Sequence, residues 1–514
     1  MTVIRTEELT PDALRTLSEQ DAHQIYCGLD CAVTLEVLEE LLALSNSESA
    51  VTLYGFERAM QAPALDMMLR GFKIDGFERA RGIQSTEADL AILREQLDTL
   101  AQAVWGTGLN ASSPKQLKEF FYGAMRLPEV WQSVKGERKL SLNREALEKL
   151  DLYFHARPFI SLIISARDLA KRLSVLTTEV SHDGRMRTSY NIGGTNTGRW
   201  SSSSDVTGVG TNLQNITPQL RRMFVADRGW KLCGIDLEQA ESREVGWLCG
   251  TLFGDWSYLN ACENGDLHTA TAQLIWPSRK WSTNSDERQR GIENRKLAEE
   301  KFYRDFSYRD MAKRGGHGSN YMGSAWTMSR HLKVPLALME AFQSAYFSAF
   351  PCIPRWHQYV AAQIQTTGTL TTSFGRTRQF FGRPDDDATL RKAIAFVPQS
   401  STGDRLNLGV WRVWDKMRDR VELLAQVHDA LYFQYREDDD ENEIVAQALE
   451  LVRIEMTHGG RTFVVPGEAK VGWNWGATHN SDRVLVNPDG LGKWVQGKRD
   501  IRKRSAQGRD RVLG

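Results

Sequence analysis

Apolar residues recur at helical spacing over much of the first 190 positions. Met60, Leu65, Met68 and Leu69 predict one helix that stops at Gly71, and Leu93, Leu97 and Leu100 predict another. Leu29, Val33, Val37, Leu38 and Leu41 predict an N-terminal helix with one buried face, too small to hold a core alone. Asn110-Ala-Ser-Ser-Pro114 predicts a loop capping a helix that begins near Lys115. Between 190 and 215 the texture turns to Gly, Ser, Thr and Asn, which predicts irregular backbone of the kind more often functional than idle. A strand-like run then ends on Asp236, followed by a helix with Val245, Leu248 and Cys249 on one side and a helical block to Phe350. Finally, Val421 to Val427 and Ala430 to Tyr435 form two apolar arms around His428-Asp429, predicting a hairpin with an aspartate at its tip.

At 514 residues the chain is longer than one hydrophobic core usually serves, so several subdomains are expected. The formal net charge is zero, yet a polyanion partner is not excluded, because phosphate is bound by a local basic surface. Acidic runs such as Asp385-Asp386-Asp387 and Glu437 to Glu441 offset basic residues elsewhere. The six cysteines are scattered, and Cys27-x3-Cys31 lacks a second ligand pair, which predicts free thiols over zinc or disulfides. Nothing approaches the roughly 20 apolar residues of a membrane span, and no signal-peptide pattern opens the chain. The expectation is a soluble, cytoplasmic protein with no membrane partner.

The chemistry lies in two distant acids and one basic helix. Asp236 and Asp429 each end a strand-like run, and paired carboxylates bind the two divalent ions that nucleotidyl transfer needs. A lone aspartate at a strand end is otherwise a turn former. Arg309, Lys313 and His317 are spaced by four and share a helix face; cations one turn apart repel unless something anionic covers them. Gly315-Gly316 in the same helix costs on the order of 1 kcal/mol per residue against alanine. Close approach of backbone to a base or sugar is the expected reason for keeping both.

With those residues identified, the chain resembles the bacterial DNA polymerase I family, family A, and particularly its phage members, from about residue 50 to 476. The resemblance rests on motifs in order: Gly71-Phe-Lys-Ile-Asp75, Ser113-Pro-Lys-Gln-Leu117, Thr197-Gly-Arg199-Trp-Ser-Ser-Ser and Asn212-Leu-Gln-Asn-Ile216. Then come Asp236-Leu-Glu-Gln-Ala-Glu241-Ser-Arg243, Arg309-x3-Lys313-x3-His317-Gly318-x2-Tyr321 and Gln426-Val-His428-Asp429. It implies an α+β right-hand fold with an antiparallel-sheet palm and helical fingers and thumb. The parts would be an exonuclease remnant at 1–46, connecting helices at 47–84, a thumb at 85–190, palm at 190–253 and 353–480, fingers at 254–352, and a basic flexible tail at 481–514.

The resemblance implies a DNA-directed DNA polymerase with two Mg²⁺ ions held by Asp236, Asp429 and the carbonyl of Leu237, acting on primer-template DNA and deoxynucleoside triphosphates, with phage replication as the setting. Lys313 and Arg309 would neutralise the triphosphate, Lys313 would also protonate pyrophosphate, and His317, Tyr321, Glu241 and Gln239 would line the nucleotide site. Glu241 would fill the space of a 2′-hydroxyl. Arg199, Gln399, His428, Arg243 and Asn215 would contact DNA. Three positions depart from the family: His317 replaces an aromatic residue, Ala395 an asparagine and Ala430 a glutamate.

Tyr26-Cys-Gly-Leu-Asp30 is similar to the last motif of a 3′–5′ exonuclease domain whose earlier acids are missing. Asp30 alone cannot assemble a two-metal nuclease, so residues 1–46 are either a relic or a docking segment for a separate exonuclease polypeptide. Two other functions share some of these features. A single-subunit RNA polymerase would have the two aspartates and the tyrosine, but Glu241 and the lack of a Met-Thr pair near His317 argue against it. A catalytically dead DNA-binding subunit would not need Asp236, Lys313 and Asp429 together.

Overall fold

The computed structural model describes residues 18–44, 48–134, 137–205, 208–304, 306–480 and 483–498, together with Asp12 and Arg502. Helix α1, Glu19–Leu44, precedes α2, Glu48–Arg70. Helix α1 does not bury the face that its spacing predicts: Val33, Val37 and Leu41 are 54%, 51% and 58% exposed, because no described element packs over them. Helix α2 ends where Gly71 turns the chain at φ +67°, a conformation that glycine adopts without a steric penalty.

Helix α3, Gly76–Trp105, starts on an Asp75 side chain that accepts from the Glu78 amide and stops at left-handed Gly106. The expected boundary at residue 84 therefore falls inside a continuous helix. Together with α4, Arg157–Leu176, this helix borders a core of Leu97, Phe120, Phe121, Phe159 and Ile163. The Ser113 hydroxyl caps Pro114–Lys118 at the loop the sequence predicts.

The centre is a five-stranded antiparallel sheet. Its strands are β1 (Trp230–Leu237), β2 (Val421–Val427), β3 (Ala430–Arg436), β4 (Gly467–Gly472) and β5 (Gly492–Lys493), in the spatial order β2-β3-β1-β4-β5. Alternation divides β1 between two faces. Cys233, Ile235 and Leu237 enter a core shared with Leu406, Val410, Ile444 and Val445, whereas Leu232 joins a second cluster with Phe72, Phe224 and Trp475. Since β5 belongs to this sheet and Leu491 is buried, the segment 483–498 is built onto the sheet and is not the flexible tail expected from its charge. Most of the basic run beyond it lies outside the described residues.

Four further helices complete the frame of the site: α5 (Ala240–Phe253), α6 (Leu267–Ile275), α7 (Tyr308–Asn320) and α8 (Leu336–Ala349). They meet at Met311, Leu267, Phe342, Tyr346 and Val245. Helix α9, Asp387–Met417, runs under the sheet, and its Arg405 forms a fully buried pair with Glu244 of α5 at 2.9 Å. Removing one partner of such a pair typically costs about 3–5 kcal/mol.

Gly315 serves this packing, and its reason is a neighbouring ring where the approach of a base or sugar was expected. A Cβ at 315 would lie 2.5 Å from the Phe342 ring, and one at 316 would lie 3.1 Å from Tyr346. Gly315→Ala is therefore expected to lower stability by about 1 kcal/mol, since overpacking of about 1–3 kcal/mol outweighs the propensity gained. Gly316→Ala should be close to neutral. Urea denaturation of both variants checks this, and a stabilised Gly315→Ala would refute it.

Candidate active site

The two acids meet through strand register. Asp236 lies opposite Ala430 across β1 and β3, and the Leu237 amide donates to the Asp429 carbonyl at 3.0 Å. Asp429 sits in the two-residue turn between β2 and β3. Left-handed backbone brackets the pair, at His428 with φ +54° and at Gln239 with φ +53°. Non-glycine residues in that region cost on the order of 1–3 kcal/mol, a strain tolerated where surrounding structure fixes the turn.

A cleft of about 290 Å³ opens over these acids, lined by Asp236, Leu237, Gln239, Glu241, Asp429, Lys313 and His317. Seven of the residues singled out from the sequence thus line one cleft. Tyr321, just past the end of α7, packs edge-on against His317 with ring centres 4.9 Å apart and donates its hydroxyl to Glu241. Arg199 also reaches Glu241, at 2.6 Å, and Asp429, at 3.4 Å, while its Nε donates to the Gln399 carbonyl at 3.2 Å. The loop carrying Arg199 is held from below. Gly198 has φ +72°, and a Cβ there would fall 2.3 Å from the guanidinium carbon of Arg376, which pairs with Asp404 at 2.7 Å and Glu57 at 2.6 Å.

Burial raises Asp236 to about 6; Lys470 and Arg221 oppose the rise, and the Asp429 and Glu468 charges add to it. Burial likewise raises Asp429, with Arg199 opposing and Glu241 adding. Both carboxylates therefore lack positive partners sufficient to offset their desolvation. Among the described residues no cluster of three or more His, Cys, Asp or Glu side chains could hold a metal. Two carboxylates at one cleft suit magnesium, which takes oxygen ligands and keeps waters or shares substrate oxygens, better than zinc.

Two expected residues behave differently. Arg243 is 6% exposed and its guanidinium donates to the Glu238 and Cys262 carbonyls at 3.1 and 3.0 Å. It braces α5 from inside. Arg309 does not line the cleft, because Asp266 holds it with bonds of 2.7 and 2.8 Å. Asn215 and His428 are exposed outside the cleft lining.

Sequence reasoning missed His268, which lines the cleft beside Lys313 and His317. Burial lowers it to about 4, so the imidazole is neutral at pH 7; Asp266 opposes that shift, and Arg309, Lys313 and His317 add to it. The only signal was its place two residues past a helix-capping aspartate. Glu468 was also missed. It stands opposite Asp236 on β4, paired with Lys493 at 2.6 Å and Lys470 at 3.4 Å.

The chain is 27% identical over 452 residues to the thermostable DNA polymerase I of Thermus aquaticus, covering 84% of this chain and 48% of that protein. It is 29% identical over 391 residues to DNA polymerase I of Helicobacter pylori, covering 73% of this chain and 38% of that protein. The chain thus spans about half or less of the length of these curated relatives. In fold it is similar to the POL domain of Pol1 from M. smegmatis, solved with DNA primer-template and dNTP. The TM-score is 0.63 at 23% identity, over 81% of this chain and 69% of that one. The sequence pattern of DNA polymerase family A matches residues 81–293 and 296–477, and on that match the chain belongs to this family.

Proposed function

We propose that this chain is a DNA-directed DNA polymerase that extends a primer 3′-hydroxyl with template-matched deoxynucleotides and releases pyrophosphate. The observation that carries this is the single cleft in which Asp236 and Asp429 face Lys313 and His317. Asp236, Asp429 and the Leu237 carbonyl would hold two magnesium ions. When bound, these lower the pKa of the primer hydroxyl and neutralise the triphosphate. The 3′-oxygen bonds to the α-phosphorus as the bond to pyrophosphate breaks. Lys313 offsets the charge gathering on the leaving group and supplies its proton. Neutral His268 offers a hydrogen bond to the same phosphates.

His317 and Tyr321 form the platform for the incoming base, and Glu241, fixed by Tyr321 and Arg199, occupies the space a 2′-hydroxyl needs. Arg199, Gln399 and His428 face the primer terminus, where minor-groove acceptors are nearly the same for every base pair. In this assignment β1 to β4 belong to the palm, α6 to α8 to the fingers, and α3 with α4 to the thumb. The fingers close on a correct nucleotide. The setting proposed is phage DNA replication in the host cytoplasm. No helix among the described residues is long and apolar enough to cross a membrane.

Residues 1–46 are a relic or a docking segment for a separate exonuclease polypeptide, and exposed Tyr26, Val33, Val37 and Leu41 on α1 are the surface that docking would use.

Purified protein should extend a primed template in Mg²⁺, and Asp236→Ala or Asp429→Ala should each lower the rate by at least 10³-fold at unchanged primer-template affinity. Full extension by either variant would reject the mechanism. Glu241→Ala should admit ribonucleotides at least tenfold better relative to deoxynucleotides; an unchanged ratio would remove Glu241 from sugar selection. In native-host pull-downs an exonuclease should accompany the whole chain and be lost when residues 1–46 are deleted. Equal recovery with both chains would reject docking on α1.

A further inference from the structure

The cation expected at the triphosphate is already occupied. Arg309 donates from Nε and Nη2 to the two oxygens of Asp266, and the side chains are only 21% and 17% exposed. The same carboxylate accepts from the Thr269 amide at 3.2 Å and hydroxyl at 2.6 Å, capping α6. Helix α6 carries His268 and Thr271 into the cleft wall, so the pair joins two walls of the site: α7, with Lys313 and His317, and α6.

A planar guanidinium held by two parallel bonds to a carboxylate presents the fork that also fits a phosphate. Arg309 cannot satisfy both at once in that geometry. We propose that Asp266 is a specificity-determining counter-ion that keeps Arg309 out of the cleft until a nucleoside triphosphate exchanges for it. The ligand that wins must carry several negative charges on one chain of oxygens, so a triphosphate displaces Asp266 where a monophosphate does not. Nucleotide affinity is then reduced by the fraction of molecules in which Arg309 is free. This rests on the polymerase reading above.

The test uses the full chain on a primer-template. Asp266→Asn removes the charge but keeps a side chain that caps a helix as well as aspartate does; Asp266→Ser is a second capping variant without charge. Equilibrium binding of the matched dNTP to a complex with a dideoxy-terminated primer, and steady-state KM and kcat on an extendable one, are measured for each. The expected result is a Kd and KM about tenfold lower in both variants, with the gain abolished in an Arg309→Ala background. Unchanged or weaker binding in the folded variants overturns the proposal and leaves the pair as a strut between α6 and α7. A gain that persists without Arg309 overturns it as well. No extension by the unmodified chain would refute the polymerase reading and this inference with it, whereas extension with unaltered Kd in the variants rejects the inference alone.

Discussion

The site depends on the hydrogen-bond register between β1 and β3. Pairing Ala430 with Asp236 sets Asp429 beside the Leu237 amide and directs both acids to one side of the sheet. A slip of one residue would turn Asp236 toward the core now filled by Ile235 and Leu237 and expose those side chains instead. Burial of the apolar face and placement of the acids are thus one event. Neither can be altered alone.

Charge organises what stands above the sheet. The Asp429 charge adds to the rise at Asp236 and the Glu241 charge to the rise at Asp429, and Lys470 and Arg199 oppose these rises. The helix that faces them carries Lys313 and His317 into the cleft while Phe342 presses against it at 315, where a Cβ would fall 2.5 Å from the ring. Sterics on one face of α7 therefore fix the direction of the cations on the other. Packing and electrostatics act through the same thirteen-residue helix.

Much of this was legible in the sequence because the motifs are local: an acid ending a strand, a turn-prone acid between two apolar arms, and cations at four-residue spacing. What local pattern omits is the neighbour across space. Arg243 sits in a motif yet spends its guanidinium on Glu238 and Cys262. Gly315 answers to Phe342, which lies in another helix, so its reason was invisible in its own segment. His268 and Glu468 have no spacing signature and are recruited by tertiary structure alone. Helix α1 has the periodicity of a packed helix, but periodicity does not say whether anything covers it. Charge misled at 483–498, where strand pairing and buried Leu491 outweigh a polar composition.

The close approach of Arg376 to Gly198 has a consequence for how the molecule matures. The Arg376 guanidinium fills the volume a side chain would take there, and Arg199 leans on Gln399, 200 positions later in the chain. Closing a loop of that length is entropically uphill until the partners on both sides are in place. During synthesis from the N-terminus, the segment bearing Arg199 emerges long before the helix that seats it. The nascent chain thus carries the Arg199 loop without its Gln399 and Arg376 contacts until most of the protein has left the ribosome, and the cleft is complete only once the hairpin bearing Asp429 has followed.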